Sequence, residues 1–451
     1  MIVMKFGGSS VESRAAIARV VEIIKSQLDE RPLVVVSAMG KTTNRLLEIA
    51  HFAARGERAR AAETLIQLKS YTLREGGTAG GAVLELFSEL EELTRGLLIL
   101  GELTPRTLDA VASFGERISS LILLEALQSA GVKSMQMDSR SLVVTDDKFG
   151  KATPLIDETT ERCMANLVPL LENQVVVVGG FIGSTRAGVS TTLGRGGSDC
   201  SASVFGAACS AREIQIWTDV DGMLTCDPRI LPGGYCIKKI SFNEAAEMAY
   251  FGAKVLHPET MLPAVQGNIP VRILNSRKPQ GQGTVISADA VPSTNLFKAI
   301  ASKRDVSTIH IHSTRMLMAH GFLKRIFEIF DRYETPVDLI ATSEVSVSLT
   351  VDNPIRIAGI VEQLETIADV SVEDRQAIIS MVGDGCGPVP GVLSRVFTAI
   401  KTINIRMVSQ GASHTNLSFV LKDVDVAEAT KLLHEEFFSE VDPEVFAKND
   451  S

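Results

Sequence analysis

Short apolar runs rich in β-branched residues recur through the first 290 positions, at Ile2–Phe6, Leu33–Ser37, Val175–Val178, Ile214–Thr218 and Val271–Leu274. Each is nearly continuous in apolar character, without the alternation of a half-solvated strand. Such runs suit strands buried on both faces of a parallel sheet. Between them apolar residues fall at helical spacing over Ser13–Glu30, Ala54–Arg74, Ala82–Gly101 and Arg106–Ala130. The pattern predicts an α/β domain, three layers deep, with helices on both faces of a mainly parallel sheet. Ligands of such sheets sit beyond the carboxyl ends of the strands, so the residues that follow each strand are the first candidates for chemistry.

The turn-rich stretch from Lys278 to Ser293 predicts a domain boundary, with one domain over 1–290 and a second region over 291–451. That second region holds a degenerate repeat. Gly321-Phe322-Leu323-Lys324-Arg325-Ile326-Phe327 recurs as Gly391-Val392-Leu393-Ser394-Arg395-Val396-Phe397, and Val337-Asp338-Leu339-Ile340 as Ile405-Arg406-Met407-Val408. Each copy predicts a ferredoxin-like βαββαβ unit. Copy one reads Thr308–His312, Phe322–Tyr333, Val337–Thr342, Val345–Val351, Ile355–Ile367 and Val370–Glu373. Copy two reads Ala377–Val382, Val392–Lys401, Ile405–Gln410, Asn416–Leu421 and Ala427–Phe438, and lacks a fourth strand. Phe297–Ser302 is expected to supply it, so that copy one (about 304–375) is inserted into copy two (296–303 with 376–440).

Composition narrows the function classes. With 45 Lys+Arg against 54 Asp+Glu the net charge is −9, which disfavours nucleic acid and anionic membrane surfaces as partners. No run approaches the roughly 18 apolar residues of a membrane span. The opening Met1-Ile2-Val3-Met4-Lys5 lacks the basic stretch of a signal peptide. Six cysteines lie scattered without Cys-x-x-Cys spacing, as expected of reduced thiols in the cytoplasm. No metal cage is expected either: His310 and His312 sit two apart without a third ligand.

Three segments carry candidate chemistry. Lys5-Phe6-Gly7-Gly8-Ser9-Ser10 follows the first strand and precedes a helix. Glycines admit a phosphate to the backbone, and a helix start offers free N–H groups. Alone, this segment equally fits a glycine turn with a solvated lysine. Thr191-Thr192-Leu193-Gly194-Arg195-Gly196-Gly197-Ser198-Asp199 gathers hydroxyls, amides and a guanidinium before a second helix. Trp217-Thr218-Asp219-Val220-Asp221-Gly222-Met223-Leu224-Thr225-Cys226-Asp227-Pro228-Arg229 fits either a nucleotide pocket or plain turn chemistry. Gly252-Ala253-Lys254-Val255-Leu256-His257-Pro258 adds a possible second phosphate lysine.

Together with Ser113-Phe114-Gly115-Glu116, these motifs occur in one order over the whole chain and resemble aspartokinase. The resemblance is to the monofunctional, lysine-sensitive class: an amino-acid-kinase (carbamate-kinase-like) domain followed by two ACT domains. It implies transfer of the γ-phosphoryl group of ATP, with Mg²⁺, to the β-carboxylate of L-aspartate. It further implies that Lys5 and Asp199 are catalytic, with Gly7, Gly8 and Ser9 shaping the phosphate loop. Ser37, Thr43, Glu116, Arg195, Gly197 and Ser198 would hold aspartate, Arg195 taking its α-carboxylate and Glu116 its ammonium. Thr218, Asp219, Asp227, Arg229 and Lys254 would hold ATP, although Leu224 stands where the family often has tyrosine. Met316, Gly321, Phe322, Leu323, Val337, Asp338, Ser343, Glu344 and Val345 match the positions where that class holds its lysine inhibitor. Pro336 departs from a site that is usually polar. A homodimer or homotetramer joined through the ACT domains is implied. Two other possibilities are a kinase for another amino acid or a nucleoside monophosphate, and a non-catalytic amino-acid sensor.

Overall fold

The computed structural model describes residues 1–77, 80–252, 257–289, 292–314, 320–352, 354–386, 389–411 and 413–448. The chain divides into two compact units: Met1–Met223 with Val255–Asp289, and Leu224–Lys254 with Ala290–Ser451. The segment 224–254, expected in the first domain, therefore packs with the C-terminal half. Its strand Cys236–Ile237 pairs with Phe446–Ala447, Thr225 O accepts the Ile300 N–H at 2.7 Å, and Lys298 reaches Glu244 at 2.8 Å.

In the first unit the main sheet contains β1 (Ile2–Phe6), β2 (Pro32–Val36), β3 (Ser134–Met137), β4 (Val175–Gly179), β5 (Glu213–Thr218), β6 (Val271–Asn275) and β7 (Thr284–Ser287). They run in the order β7-β6-β5-β1-β2-β4-β3, parallel except for β7 on β6. The order reverses direction at β1, which is where open α/β sheets leave a crevice for ligands. Its helices include α1 (Arg14–Lys25), α2 (Thr42–Ala54), α3 (Arg58–Gly76), α4 (Gly81–Leu100), α5 (Pro105–Ala112), α6 (Phe114–Ser129) and α7 (Gly197–Ala208). The helix expected over Ala54–Arg74 starts only at Arg58, as α3, because the chain turns at Gly56 (φ +74°) after the end of α2. Likewise Arg106–Ala130 breaks at Ser113 into α5 and α6. Strand side chains alternate between faces. Ile2, Met4 and Phe6, with Val34, Val36, Val175 and Val177, enter one core with helices α1 to α4 and α6. Val3 and Lys5 face the other way.

In the second unit α8 (Phe242–Tyr250) precedes a six-stranded antiparallel sheet. It is built from β8 (Ala299–His312), β9 (Ile340–Thr342), β10 (Ser346–Val351), β11 (Asp369–Val382), β12 (Met407–Ser409) and β13 (Asn416–Lys422), in the order β9-β10-β8-β11-β13-β12. Helices α9 (Phe322–Arg332), α10 (Pro354–Glu365), α11 (Val392–Ala399) and α12 (Val426–Phe437) complete two ferredoxin-like units. Strands expected as separate pieces are continuous. The amino-terminal part of β8 pairs with copy two, Ala299↔Val382 to Lys303↔Ile378, and its remainder with copy one, Thr308↔Glu373 to His312↔Asp369. Each long strand thus serves both units. The crossovers lie at Asp305 (φ +57°) and Arg375 (φ +54°), beside register shifts between Lys303 and Thr308.

Candidate active site

Because Lys5 points away from the main core, it meets the first turn of α7. Its Nζ lies 2.6 Å from Asp199 Oδ1, and the two side chains are only 10% and 17% exposed. This is an ion pair by proximity, not an aligned hydrogen bond. Gly194 (φ +74°) and Gly196 (φ +67°) turn the chain into α7, a conformation that side-chain-bearing residues seldom adopt. The cation therefore stands beside a helix start whose N–H groups and dipole favour anions.

The loops behind the strand ends are knit together. Gly7 N–H donates to Trp217 O at 3.1 Å, and Gly40 N–H to Gly8 O at 3.0 Å. A Cβ on Gly8 would stand 2.8 Å from the Ala38 carbonyl oxygen, so this approach requires glycine. Ser9 lies in the same short turn, Gly8–Ser10, and Ser10 Oγ meets Ser276 Oγ at 2.8 Å. Ser37 N–H donates to Phe6 O at 3.0 Å, and Thr43 lies in the first turn of α2.

Glu116, in the first turn of α6, is 3% exposed. Its Oε1 accepts the Ala38 N–H at 3.1 Å, while Oε2 has no partner. Burial pushes its pKa up to about 8 against the opposing pull of the Ala38 amide and the Lys5 charge. Gly179 and Gly180, which the motifs did not single out, create the room: a Cβ would come 3.1 Å from Glu116 Cβ at the first and 2.8 Å from Ser198 Cβ at the second. A Gly-Gly pair at the end of a strand was the available signal. Lys5, Gly7, Gly8, Glu116, Ser198 and Asp199 are thus brought together at the sheet's carboxyl edge. Gly197 is buried in the same turn, and Arg195 is exposed with no ion pair among the described residues. At the end of β5, Thr218 Oγ1 donates to Asp219 Oδ1 at 3.3 Å.

Asp227 and Arg229 belong to the second unit. There the guanidinium forks onto its neighbour, Nε to Oδ1 at 3.0 Å and Nη2 to Oδ2 at 2.6 Å, on a side chain that is 75% exposed. Leu224 forms an antiparallel bridge with Cys236. Lys254 and Met316 lie outside the described residues.

Of the candidate effector residues, Gly321 (φ +79°) caps α9, Phe322 and Val337 pack in the core of copy one, and Leu323 is exposed. Ser343 and Glu344 are exposed on a turn, and Val345 is half-buried. Asp338 is buried and already engaged: Oδ1 accepts from Lys303 Nζ at 2.6 Å and from Tyr250 Oη at 3.0 Å, whereas Oδ2 has no partner. Burial raises its pKa despite the Lys303 charge. Neither Lys303 nor Tyr250 carried a sequence motif. His310 and His312 hydrogen-bond Ser348 and Ser346, at 2.8 and 3.0 Å.

Residues 1–275 match the amino acid kinase family, and residues 379–437 match the ACT domain. Aspartokinase 2, chloroplastic, of Arabidopsis thaliana is 42% identical, over 98% of this chain and 85% of that protein. Lysine-sensitive aspartokinase 3 of Escherichia coli is 36% identical, over 97% and 99%. The crystal structure of E. coli aspartokinase III in complex with aspartate and ADP superposes with a TM-score of 0.83, over 97% of this chain and 100% of that one. A kinase unit of matching topology, followed by paired ferredoxin-like units and aligned along its length with such proteins, places the chain in the aspartokinase family.

Proposed function

We infer that the chain transfers the γ-phosphoryl group of ATP to the β-carboxylate of L-aspartate, giving 4-phospho-L-aspartate, and that lysine inhibits it. The observation that carries this reading is the Lys5–Asp199 pair at the start of α7, a cation fixed where sheet topology opens a crevice.

The acceptor carboxylate, with an ordinary pKa of about 3.9, is ionised at neutral pH and needs no general base. The barrier is repulsion between a carboxylate and a polyanion, which positioned cations and amides relieve. Lys5 would meet the transferring phosphoryl group, and Asp199 holds that ammonium in place. Arg195 would bind the α-carboxylate, with Ser37, Thr43, Gly197 and Ser198 beside it. The unpartnered Oε2 of Glu116 suits the substrate ammonium. Thr218, Asp219, Asp227, Arg229 and Lys254 are assigned to ATP on their motifs. The donors at the strand ends are cationic and amide groups, which fit phosphates rather than a metal. Among the described residues no three His, Cys, Asp or Glu side chains converge on a point. Mg²⁺ would therefore enter with the nucleotide, liganded by phosphates and water, and supply further charge neutralisation.

The effector reading rests on the name of the lysine-sensitive relative and on Asp338, a buried carboxylate with an open oxygen. A homodimer or homotetramer joined through the paired ferredoxin-like units is the assembly that the family resemblance implies. Among the described residues no helix is long and apolar enough to cross a membrane, and a cytoplasmic site suits the six scattered cysteines. Aspartate-dependent release of ADP tests the reading; equal turnover with glutamate or acetylglutamate would refute it.

A further inference from the structure

We propose that Asp109 is a positioning residue for the acceptor loop: its buried carboxylate fixes the backbone at Thr192 and thereby aims Arg195. The proposal rests on Arg195 being the acceptor's carboxylate ligand. Asp109 lies in α5, four residues before Ser113-Phe114-Gly115-Glu116, and is 2% exposed. Both of its oxygens are used, and by neutral donors. Oδ1 accepts from Thr192 Oγ1 at 2.7 Å and from Gly150 N–H at 3.0 Å, and Oδ2 from Thr192 N–H and Gly150 N–H, each at 2.9 Å.

One carboxylate thus ties the 147–151 turn to the end of the Ser190–Thr192 strand. Ala152 N–H reinforces the join by donating to Thr192 O at 2.8 Å. The loop then stays on that platform: a Cβ on Gly194 would be 3.2 Å from Gly150 O and 3.3 Å from Lys151 Cβ. Arg195 follows, exposed and without an ion pair of its own among the described residues, so its backbone alone directs it. The loop is anchored three residues before Arg195 by Asp109 and four residues after it by the Lys5–Asp199 contact. Loss of the first anchor leaves the chemistry at Lys5 intact and lets the guanidinium wander, which weakens ground-state and transition-state binding of aspartate alike.

Steady-state kinetics of the full chain test this with Asp109→Asn, which keeps the volume but sets an NH₂ donor against N–H donors. The aspartate KM should rise about tenfold or more, with kcat and the ATP KM within about threefold. A fall in kcat with both KM values unchanged would make Asp109 an ordinary fold-stabilising group and overturn the proposal. Arg195→Ala serves as the reference. If it leaves the aspartate KM unchanged, the acceptor-site reading itself fails. If it raises that KM while Asp109→Asn does not, only the present proposal fails. The double variant should add less than about twofold to the KM of Arg195→Ala, because both changes act through one side chain, and full additivity would contradict it. Should Asp109→Asn not fold, Thr192→Val removes the Oγ1 bond alone and is expected to raise the aspartate KM about threefold; no change would count against the proposal.

Discussion

Lys303 Nζ sits 2.6 Å from Asp338 Oδ1 and 2.8 Å from Asp352 Oδ2, with the Tyr250 ring 5.1 Å away. Two carboxylates and an aromatic face are what a free alkylammonium would seek. The acidic seat at Asp338 is thus filled by the chain's own lysine, and at the proposed effector site an incoming ammonium would compete with it. Lys303→Met is expected to lower the half-inhibiting lysine concentration about fivefold or more, with the uninhibited rate within about twofold. A lysine titration of initial rates checks this, and a higher half-inhibiting concentration would refute the competition.

Glu116 predicts a pH signature. Folding raises its pKa from 4.5 to about 8 through burial. Between those values the folded chain keeps a proton that the unfolded chain has lost. The group's contribution to stability is therefore fully present below about pH 4.5 and fades as pH climbs to about 8. The thermal midpoint of Glu116→Gln should decline less than the parent's from about pH 5 to pH 8. Pairing with a substrate ammonium requires the ionised form, so aspartate binding near pH 7 should expel about one proton. Calorimetry in two buffers of different ionisation enthalpy would read that proton; its absence would contradict the pairing.

Removing the Lys5 charge should act on turnover. Lys5→Ala is expected to reduce kcat by about 10²–10³-fold, with the aspartate KM changed less than about threefold. In the proposed mechanism the ammonium would interact with charge that moves in the transition state, whereas other groups would hold aspartate. An unchanged kcat would remove Lys5 from the mechanism.

In the second unit, Lys298 and Glu244 form an ion pair at 2.8 Å, with side chains 3% and 0% exposed. Glu244 also receives the Ser241 and Asp384 N–H groups, at 2.9 and 2.8 Å. Breaking such a pair from one side strands a buried charge. Lys298→Met should destabilise by about 3–5 kcal/mol in chemical denaturation, and Lys298→Met with Glu244→Gln by less than the sum of the single changes. Additive losses would show that the two groups do not interact.

The central strands were legible because β1, β2, β4, β5 and β6 are nearly continuous apolar runs rich in β-branched residues, interrupted by single polar positions such as Lys5, Gln215 and Arg272. β3 was not: Ser134-Met135-Gln136-Met137 has little β-branched character and lies at the sheet's edge. α2 was missed because its opening Thr42-Thr43-Asn44-Arg45 is polar, which hid the first turn carrying Thr43. Lys5 and Asp199 stood out because each sits in a glycine-rich loop at a strand or helix end, where local chemistry is visible. Asp109 and Lys303 did not, since their partners lie far off in sequence: Thr192 is 83 residues from Asp109, and Asp338 is 35 from Lys303. The association of 224–254 with the C-terminal half rests on similarly remote contacts, such as Cys236 with Ala447. Spacing reports periodicity and turns; it does not report which distant donor a buried carboxylate will find.

The most direct measurement traps the acyl phosphate. With ATP, Mg²⁺, aspartate and hydroxylamine, the purified chain should form aspartyl hydroxamate, and the Lys5→Ala chain about 10²–10³-fold less under the same conditions. Hydroxamate formed equally by both chains, or none from the parent while ATP is still consumed, would contradict phosphoryl transfer to aspartate at this site.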